Sequence, residues 1–204
     1  MSRDSLLTTL ANARRRRRGQ AEPPDPFRGP DEAMRLLGDW LAEVPVTRDE
    51  LPALGVLADA VSSLADVLAS ASPPDLVVEP LHRFNELVRA ARFTPQLHAT
   101  ADGFVAIWTP SPRSSAAVLA GSVAQELTTL EVARVKRCAR TACDLIFIDH
   151  SRSRTQRWHA EDPCGWIERQ HRRRAIVDAP PGRGGMGDRD DRPERAPAGS
   201  KVPW

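Results

Sequence analysis

Three cysteines and one histidine near the carboxyl end place the strongest constraint on how this chain can fold. Four residues separate Cys138 from Cys143, four separate His159 from Cys164, and fifteen lie between the two pairs. Three thiolates and one imidazole suit tetrahedral Zn²⁺, which binds sulfur and nitrogen donors. Each pair can come from one tight turn that points both donors inward. The pattern therefore predicts one structural zinc ion that joins two turns.

Other interpretations of the same residues stay open at this point. Three cysteines within 27 residues can be small buried hydrophobic side chains, and His159 can be an ordinary surface residue. His150 and His171 are alternative fourth ligands, although neither is spaced from Cys164 as Cys138 is from Cys143. Zinc is favoured because all three thiols are used and none is left over.

The residues around these donors predict how each turn is supported. DLIFID (144–149) is apolar on both faces and predicts a strand after the first turn. Asp162 and Pro163 resemble the N-cap and first residue of a helix, which places Cys164 in the first helical turn.

The chain before the cysteines is mainly helical in pattern. Thr47 and Glu50 form a capping box at the start of one predicted helix. The segment 95–109 predicts a β-hairpin around Asp102-Gly103. Apolar residues at helical spacing predict helices over 5–18, 31–44, 47–70, 80–91 and 116–134. The predicted fold class is α+β, a mainly helical N-terminal domain with a small β-hairpin followed by a small zinc-finger module.

Three regions follow from these patterns. Residues 1–131 are predicted as the helical domain with its hairpin, and residues 132–177 as the zinc finger. Residues 178–204 are rich in proline, glycine and charge, so they are predicted to form a disordered tail.

Charge is distributed unevenly between the predicted domains. Residues 19–131 carry seven basic and sixteen acidic residues, a net charge of −9, whereas residues 132–177 carry eleven basic and five acidic, a net charge of +6. A basic finger beside an acidic domain predicts binding to a polyanion. The alternative is a solvated arginine face, because 27 of the 29 basic residues are arginine and a GC-rich coding bias produces the same excess. The predicted DNA-contacting residues are Arg137, Arg152, Arg154, Arg157, Arg169, Arg172 and Arg173.

The segment RVKRCARTACDLIFIDHSRSRTQRWHAEDPCG resembles the CGNR zinc finger of bacterial stress-induced transcription regulators. Cys138 and Cys143 match the first pair of that family, Phe-x-Asp-x-Ser-Arg follows, and Cys164-Gly165 begins its last motif. LLTTLANARRRR resembles the start of the helical ABATE domain that precedes this finger. His159 replaces a cysteine of the family, and Trp166-Ile167 replaces the Asn-Arg of its name-giving motif.

The resemblance and the charge pattern predict a zinc-dependent DNA-binding transcription regulator in the cytoplasm. Its N-terminal domain is expected to sense a small ligand or to bind a protein partner. The alternative is a protein-interaction adaptor with a purely structural zinc knuckle. An enzyme is not expected, because the chain has no Gly-rich phosphate loop or HExxH and a Cys₃His set leaves no open position on zinc. No membrane partner is expected either, since no apolar run approaches about 20 residues. The sequence does not indicate an oligomeric state.

Overall fold

The fold is described from a computed structural model of the chain. The described residues are 5–15, 25–41, 44–70, 78–101, 103–111 and 113–177. The predicted disordered tail and Asp102 of the predicted hairpin turn lie outside them.

Six α-helices and two small antiparallel sheets form the described part of the chain. The helices are α1 Leu6–Asn12, α2 Pro30–Leu41, α3 Leu51–Ala69, α4 Val78–Ala90, α5 Ser115–Thr129 and α6 Trp166–Val177. The strands are β1 Thr94–Thr100, β2 Gly103–Thr109, β3 Val135–Arg137 and β4 Ile146–Ile148. The predicted α+β class is confirmed.

Helix α3 lies at the centre of the helical part. It packs against α1, α4 and α5, and its side chains Leu54, Val61 and Leu64 are fully buried. With its preceding turn, Arg48–Ala69 is long and apolar enough to cross a membrane, but half of this stretch is buried inside the protein. The sequence shows no uninterrupted apolar run of that length, because Asp59 and Asp66 fall within it. Helix α3 is therefore the central helix of the buried core.

Glu50, which forms the predicted capping box with Thr47, contacts the starts of two helices. The backbone N–H of Thr47 donates to Glu50 Oε2 at 3.1 Å, as predicted. The backbone N–H of Ser115 donates to Glu50 Oε1 at 2.8 Å. One carboxylate therefore satisfies donors ahead of α3 and at the start of α5, where free N–H groups favour a negative charge.

Strands β1 and β2 form the predicted hairpin and project from the helical core. We call these two strands the arm. Pro95 pairs with Trp108, Leu97 with Ala106 and Ala99 with Phe104, so the side chains of one face are all apolar. This face is exposed; Phe104, for example, has 80% of its surface accessible. Gly103 has a φ of 137°, a backbone conformation that glycine adopts readily and other residues rarely adopt.

Strands β3 and β4 pack against α1 and α3. Val135 and Ile146 belong to the same buried cluster as the helical core. The side-chain amide of Asn12 donates to the carbonyl of Ile146 and accepts from its N–H, both at 2.8 Å. The sheet that carries the first cysteine pair is therefore anchored directly to the helices.

Helix α5 ends earlier than predicted. The prediction of a helix to Arg134 is wrong, because the chain becomes extended at Leu130 and then forms a separate 3₁₀ turn over Val132–Arg134. Two consecutive β-branched residues, Thr128 and Thr129, precede the break, and such residues lower helix propensity.

Candidate metal centre

The first cysteine pair lies in the loop that connects β3 to β4. Val135 pairs with Ile148 in this antiparallel ladder, and the N–H of Cys138 donates to the carbonyl of Leu145 at 2.9 Å, which extends it by one residue. The N–H of Cys143 donates to the carbonyl of Arg140 at 2.9 Å and closes a tight turn. Both sulfur-bearing side chains are buried. A short hairpin therefore aims both thiols to the same side, as the spacing predicts.

The second pair is attached to this loop by main-chain contact. The N–H of Ala139 donates to the carbonyl of Arg157 at 2.8 Å, which brings His159 toward the first knuckle. Cys164 is buried in an irregular turn over Glu161–Gly165, immediately before α6.

The predicted helical start at this turn is confirmed in its backbone conformation. Asp162 is extended (φ −106°, ψ 125°), as an N-cap residue is, and helical residues follow it from Pro163 into α6. The first of these residues, including Cys164, form an irregular turn ahead of α6.

The donor atoms of all four residues converge on one point. The Sγ atoms of Cys138, Cys143 and Cys164 and a ring nitrogen of His159 lie within 4.8 Å of one another. Cys143 Sγ and His159 Nδ1 are 3.5 Å apart. Tetrahedral zinc, with sulfur at about 2.3 Å and nitrogen at about 2.1 Å, separates sulfur from nitrogen by about 3.5 Å. The donor set is therefore positioned to bind one zinc ion.

The protonation of the thiols is consistent with a site that requires a cation. Burial, with a smaller effect of the neighbouring Cys138 thiol, raises the pKa of Cys143 to about 12. Burial likewise raises the pKa of Cys164. Without a metal these thiols stay neutral at pH 7, so zinc binding displaces their protons.

Asp149 holds together the loop between the two knuckles. Its buried carboxylate accepts from Lys136 Nζ at 2.6 Å, from the N–H and hydroxyl of Ser151 at 2.8 and 2.5 Å, and from the N–H of Gln156 at 3.1 Å. Burial raises the pKa of Asp149, but the Lys136 and Ser151 donors outweigh burial and hold it well below its ordinary value. The acidic residue of the Phe-x-Asp-x-Ser-Arg stretch therefore stabilises the loop.

The seven predicted DNA-contacting arginines occupy different environments. Arg137 forms ion pairs with Asp66 of α3 and with Asp144. Arg154 pairs with Glu131 and Arg169 with Glu161. These three side chains are bound within the protein.

The other four predicted arginines are more available to a ligand. Arg157 lies over the ring of Trp158, 5.6 Å from its centre. Arg152, Arg172 and Arg173 are exposed, and within the described residues they form no ion pair. These four of the predicted arginines therefore have no carboxylate partner in the part of the chain that the structure describes.

Arg140 lies inside the first knuckle and is not one of the site residues predicted from the sequence. Its side chain is buried next to Cys164. The available signal was its place in Cys-Ala-Arg-Thr-Ala-Cys, midway between two ligands.

Comparison with protein families agrees with this geometry. Residues 134–175 match the family model of the CGNR zinc finger. This segment is a CGNR zinc finger. The match contains all four donor residues and begins at residue 134, so the resemblance of the preceding helices to the ABATE domain stays a prediction. A search of curated proteins finds no match to the chain.

This CGNR finger departs from the family motif where α6 begins. Trp166 has 54% of its surface exposed, whereas Ile167 is buried. The finger therefore has an exposed indole and a buried isoleucine in place of Asn-Arg.

Proposed function

We propose that this chain is a DNA-binding transcription regulator whose CGNR finger contacts phosphates through arginine. The observation that carries the proposal is that four of the predicted arginines are exposed and have no carboxylate partner within the described residues of the chain, in a finger whose Cys₃His donors converge. Arginine guanidinium groups bind phosphate oxygens in bidentate fashion. The net charge of −9 over residues 19–131 favours an orientation in which the finger faces the nucleic acid.

Zinc has a structural part in this proposal. It holds two loops together, and with them the arginines Arg152 and Arg157 on the connecting segment. A complete Cys₃His set leaves no coordination position for a substrate, so we propose a regulator rather than an enzyme. A cytoplasmic location is part of the same proposal, because reduced thiols persist in that compartment.

A salt titration tests DNA binding. Affinity for duplex DNA is measured by fluorescence anisotropy for the wild type and for Arg172→Ala/Arg173→Ala. We expect the logarithm of the affinity to fall linearly with the logarithm of the salt concentration. The magnitude of this slope should be smaller by about two in the double variant, because each phosphate contact contributes about 0.9 to it. The control is Arg83→Ala/Arg113→Ala, which removes two exposed arginines from outside the finger. A flat salt response, or equal effects of the two double variants, would contradict the proposal.

A cleft in the helical part of the chain supports the proposal of a small ligand. A cleft of about 370 Å³ lies between α3, α4 and α5, and its walls include Val56, Leu57 and Leu87. This volume falls in the usual range of small-molecule sites. The apolar walls favour a hydrophobic ligand, and Ala117→Trp, which fills the cleft, should remove any ligand-dependent change in DNA affinity.

A protein-interaction adaptor is the second candidate. The exposed Trp166 at the position of the family's Asn-Arg, together with the apolar face of the arm, favours this function. The adaptor predicts that the wild-type chain gives no salt-dependent shift with any duplex. It also predicts that Trp166→Ala weakens binding to a protein partner, with Arg172→Ala as the unaffected control.

A further inference from the structure

Arg140 is a charged residue buried inside the metal centre. It lies in the turn between Cys138 and Cys143, and only 6% of its surface is accessible. Lysine and arginine are almost never fully buried unless they are paired. The burial of this side chain therefore requires a compensating negative group.

The described residues provide no carboxylate for Arg140. The other buried arginine, Arg15, pairs with Asp66 at 2.7 Å and donates to Ser62. Arg140 has no ion pair within the described part of the chain, and its Nη1 is buried without a hydrogen-bond partner. A buried donor without a partner is destabilising, and more so when it is charged.

The group that faces Arg140 is the sulfur of Cys164. Cys164 has 1% of its surface accessible, and the side chain of Arg140 forms a hydrogen bond with it. The guanidinium is thus already directed at a ligand of the proposed ion.

The charge of the occupied site provides what Arg140 lacks. Three thiolates and a neutral imidazole around Zn²⁺ carry a net charge of −1. A buried net charge is costly unless it is paired. One guanidinium makes the whole buried group neutral, and a thiolate sulfur can accept the hydrogen bond that Nη1 does not make to any described residue.

We propose that Arg140 is the counter-charge of the zinc site, and that it sets the zinc affinity and lowers the reactivity of the thiolates. It is a positioning residue for the ligands, since it does not itself bind the ion. The proposal rests on the donor set and does not depend on DNA binding. Its burial also separates it from the arginines that we propose for phosphate contact.

The test compares the zinc affinity of full-length variants by competition with a chromogenic chelator. Arg140→Met keeps the apolar stem and removes the charge, and we expect it to weaken zinc binding about 10–100-fold, the usual effect of losing an outer-shell partner. Arg140→Lys keeps a positive charge and should recover much of this loss. Arg174→Met, which removes an exposed arginine from the same finger to which no role is assigned, should change affinity less than twofold. Equal losses in the Met and Lys variants, or no loss in Met, would overturn the proposal.

The rate of thiol alkylation is a second measurement. It would not change if the role of Arg140 were only structural. N-ethylmaleimide should release zinc faster from loaded Arg140→Met than from wild type, since an unneutralised thiolate is the stronger nucleophile. The absorption spectrum of the cobalt-substituted variant should remain tetrahedral, which shows that the site is intact. Should Arg140→Met fail to hold metal, the rate is measured on Arg140→Lys, where near wild-type alkylation supports the proposal. Alkylation of that variant many times faster than wild type counts against it.

Discussion

At the scale of single residues, the buried charges of the finger do more for its structure than its exposed ones. The Asp149 carboxylate accepts four hydrogen bonds from three residues of β3 and the connecting loop. Such bonds to an ionised acceptor are about twice as strong as those between neutral groups. The loop between β4 and His159 has no regular secondary structure, so this carboxylate replaces the missing ladder of backbone bonds.

Replacing Asp149 by asparagine should destabilise the zinc-loaded protein. The amide keeps the shape but loses the charge that Lys136 requires, and its NH₂ group faces donors. We expect a loss of about 2–3 kcal/mol in the free energy of unfolding, measured by denaturant titration. Glu131→Gln removes an exposed carboxylate from the same region and should cost less than about 1 kcal/mol. Equal costs for the two variants would show that the Asp149 network adds nothing beyond a surface ion pair.

The sequence allowed the four zinc ligands to be predicted but not the roles of Arg140 and Asp149. Ligands are recognisable because their residue types and spacing match the coordination chemistry directly. The role of a buried charge depends on which groups surround it after folding. Arg140 differs from the exposed Arg152 only in burial, and local sequence does not determine burial.

At the scale of elements, Glu50 joins the starts of α3 and α5. Burial raises the pKa of Glu50, but the N–H donors of Ser115 and Thr47 outweigh burial, so the pKa lies below its ordinary value. The helix prediction included this capping box but not its contact with Ser115. That contact joins residues 65 positions apart, and helical periodicity carries no information about such pairs.

The lowered pKa of Glu50 predicts how its contribution to stability depends on pH. Its contribution is present above the unfolded-state pKa near 4.5 and disappears as pH falls through the lower folded-state value. Glu50→Gln should therefore cost about 1 kcal/mol at pH 7, and the difference from wild type should shrink below about pH 4. Denaturant titrations of both proteins at several pH values measure this difference in the free energy of unfolding. Zinc release in acid affects both proteins alike, and a pH-independent difference would contradict the role of the charge.

The predicted helices and the arm were located correctly, but several boundaries were not. Helix α1 ends at Asn12 and α2 at Leu41, before the predicted ends at residues 18 and 44. Helix α5 stops at Thr129 although its apolar pattern continues to Leu130, because that leucine packs on the core from an extended conformation. The turn that holds Cys164 is irregular because the thiol must reach the other donors. In both places tertiary packing determines the backbone, and local propensity yields to it.

At the scale of the whole molecule, the finger and the helices share one core. Val135 and Ile146 of the finger are buried with Leu7, Leu10 and Leu64 of the helices. Two hydrogen bonds between Asn12 and Ile146, one donated by each residue, and the ion pair between Arg137 and Asp66 add polar links. The net charge of the sequence changes sign at the predicted boundary at residue 131, but the buried core is continuous across that boundary. Zinc bound at one end should therefore stabilise the helices at the other.

Chelation of zinc should lower the temperature at which the helices unfold. A ligand that binds only the folded protein stabilises every element that unfolds with its site, and the shared core makes α1 and α3 such elements. Circular dichroism melting of the full chain with and without a strong chelator measures the shift. The protein as purified should contain about one zinc per chain, and Cys164→Ser should melt like the chelated wild type.

Asn12→Ala distinguishes coupling through the core from a general effect of the chelator. This variant leaves the N–H and carbonyl of Ile146 without their side-chain partner, at a cost of about 1–3 kcal/mol for each buried group left unpaired. It also loosens β4 from α1, so the finger can open while the helices stay folded. We expect a lower melting temperature than wild type and a smaller shift on chelation. If the wild-type helices melt at the same temperature with and without zinc, the finger folds independently and the shared core carries no coupling. If Asn12→Ala keeps the full shift, the coupling passes through Arg137 and Asp66 instead.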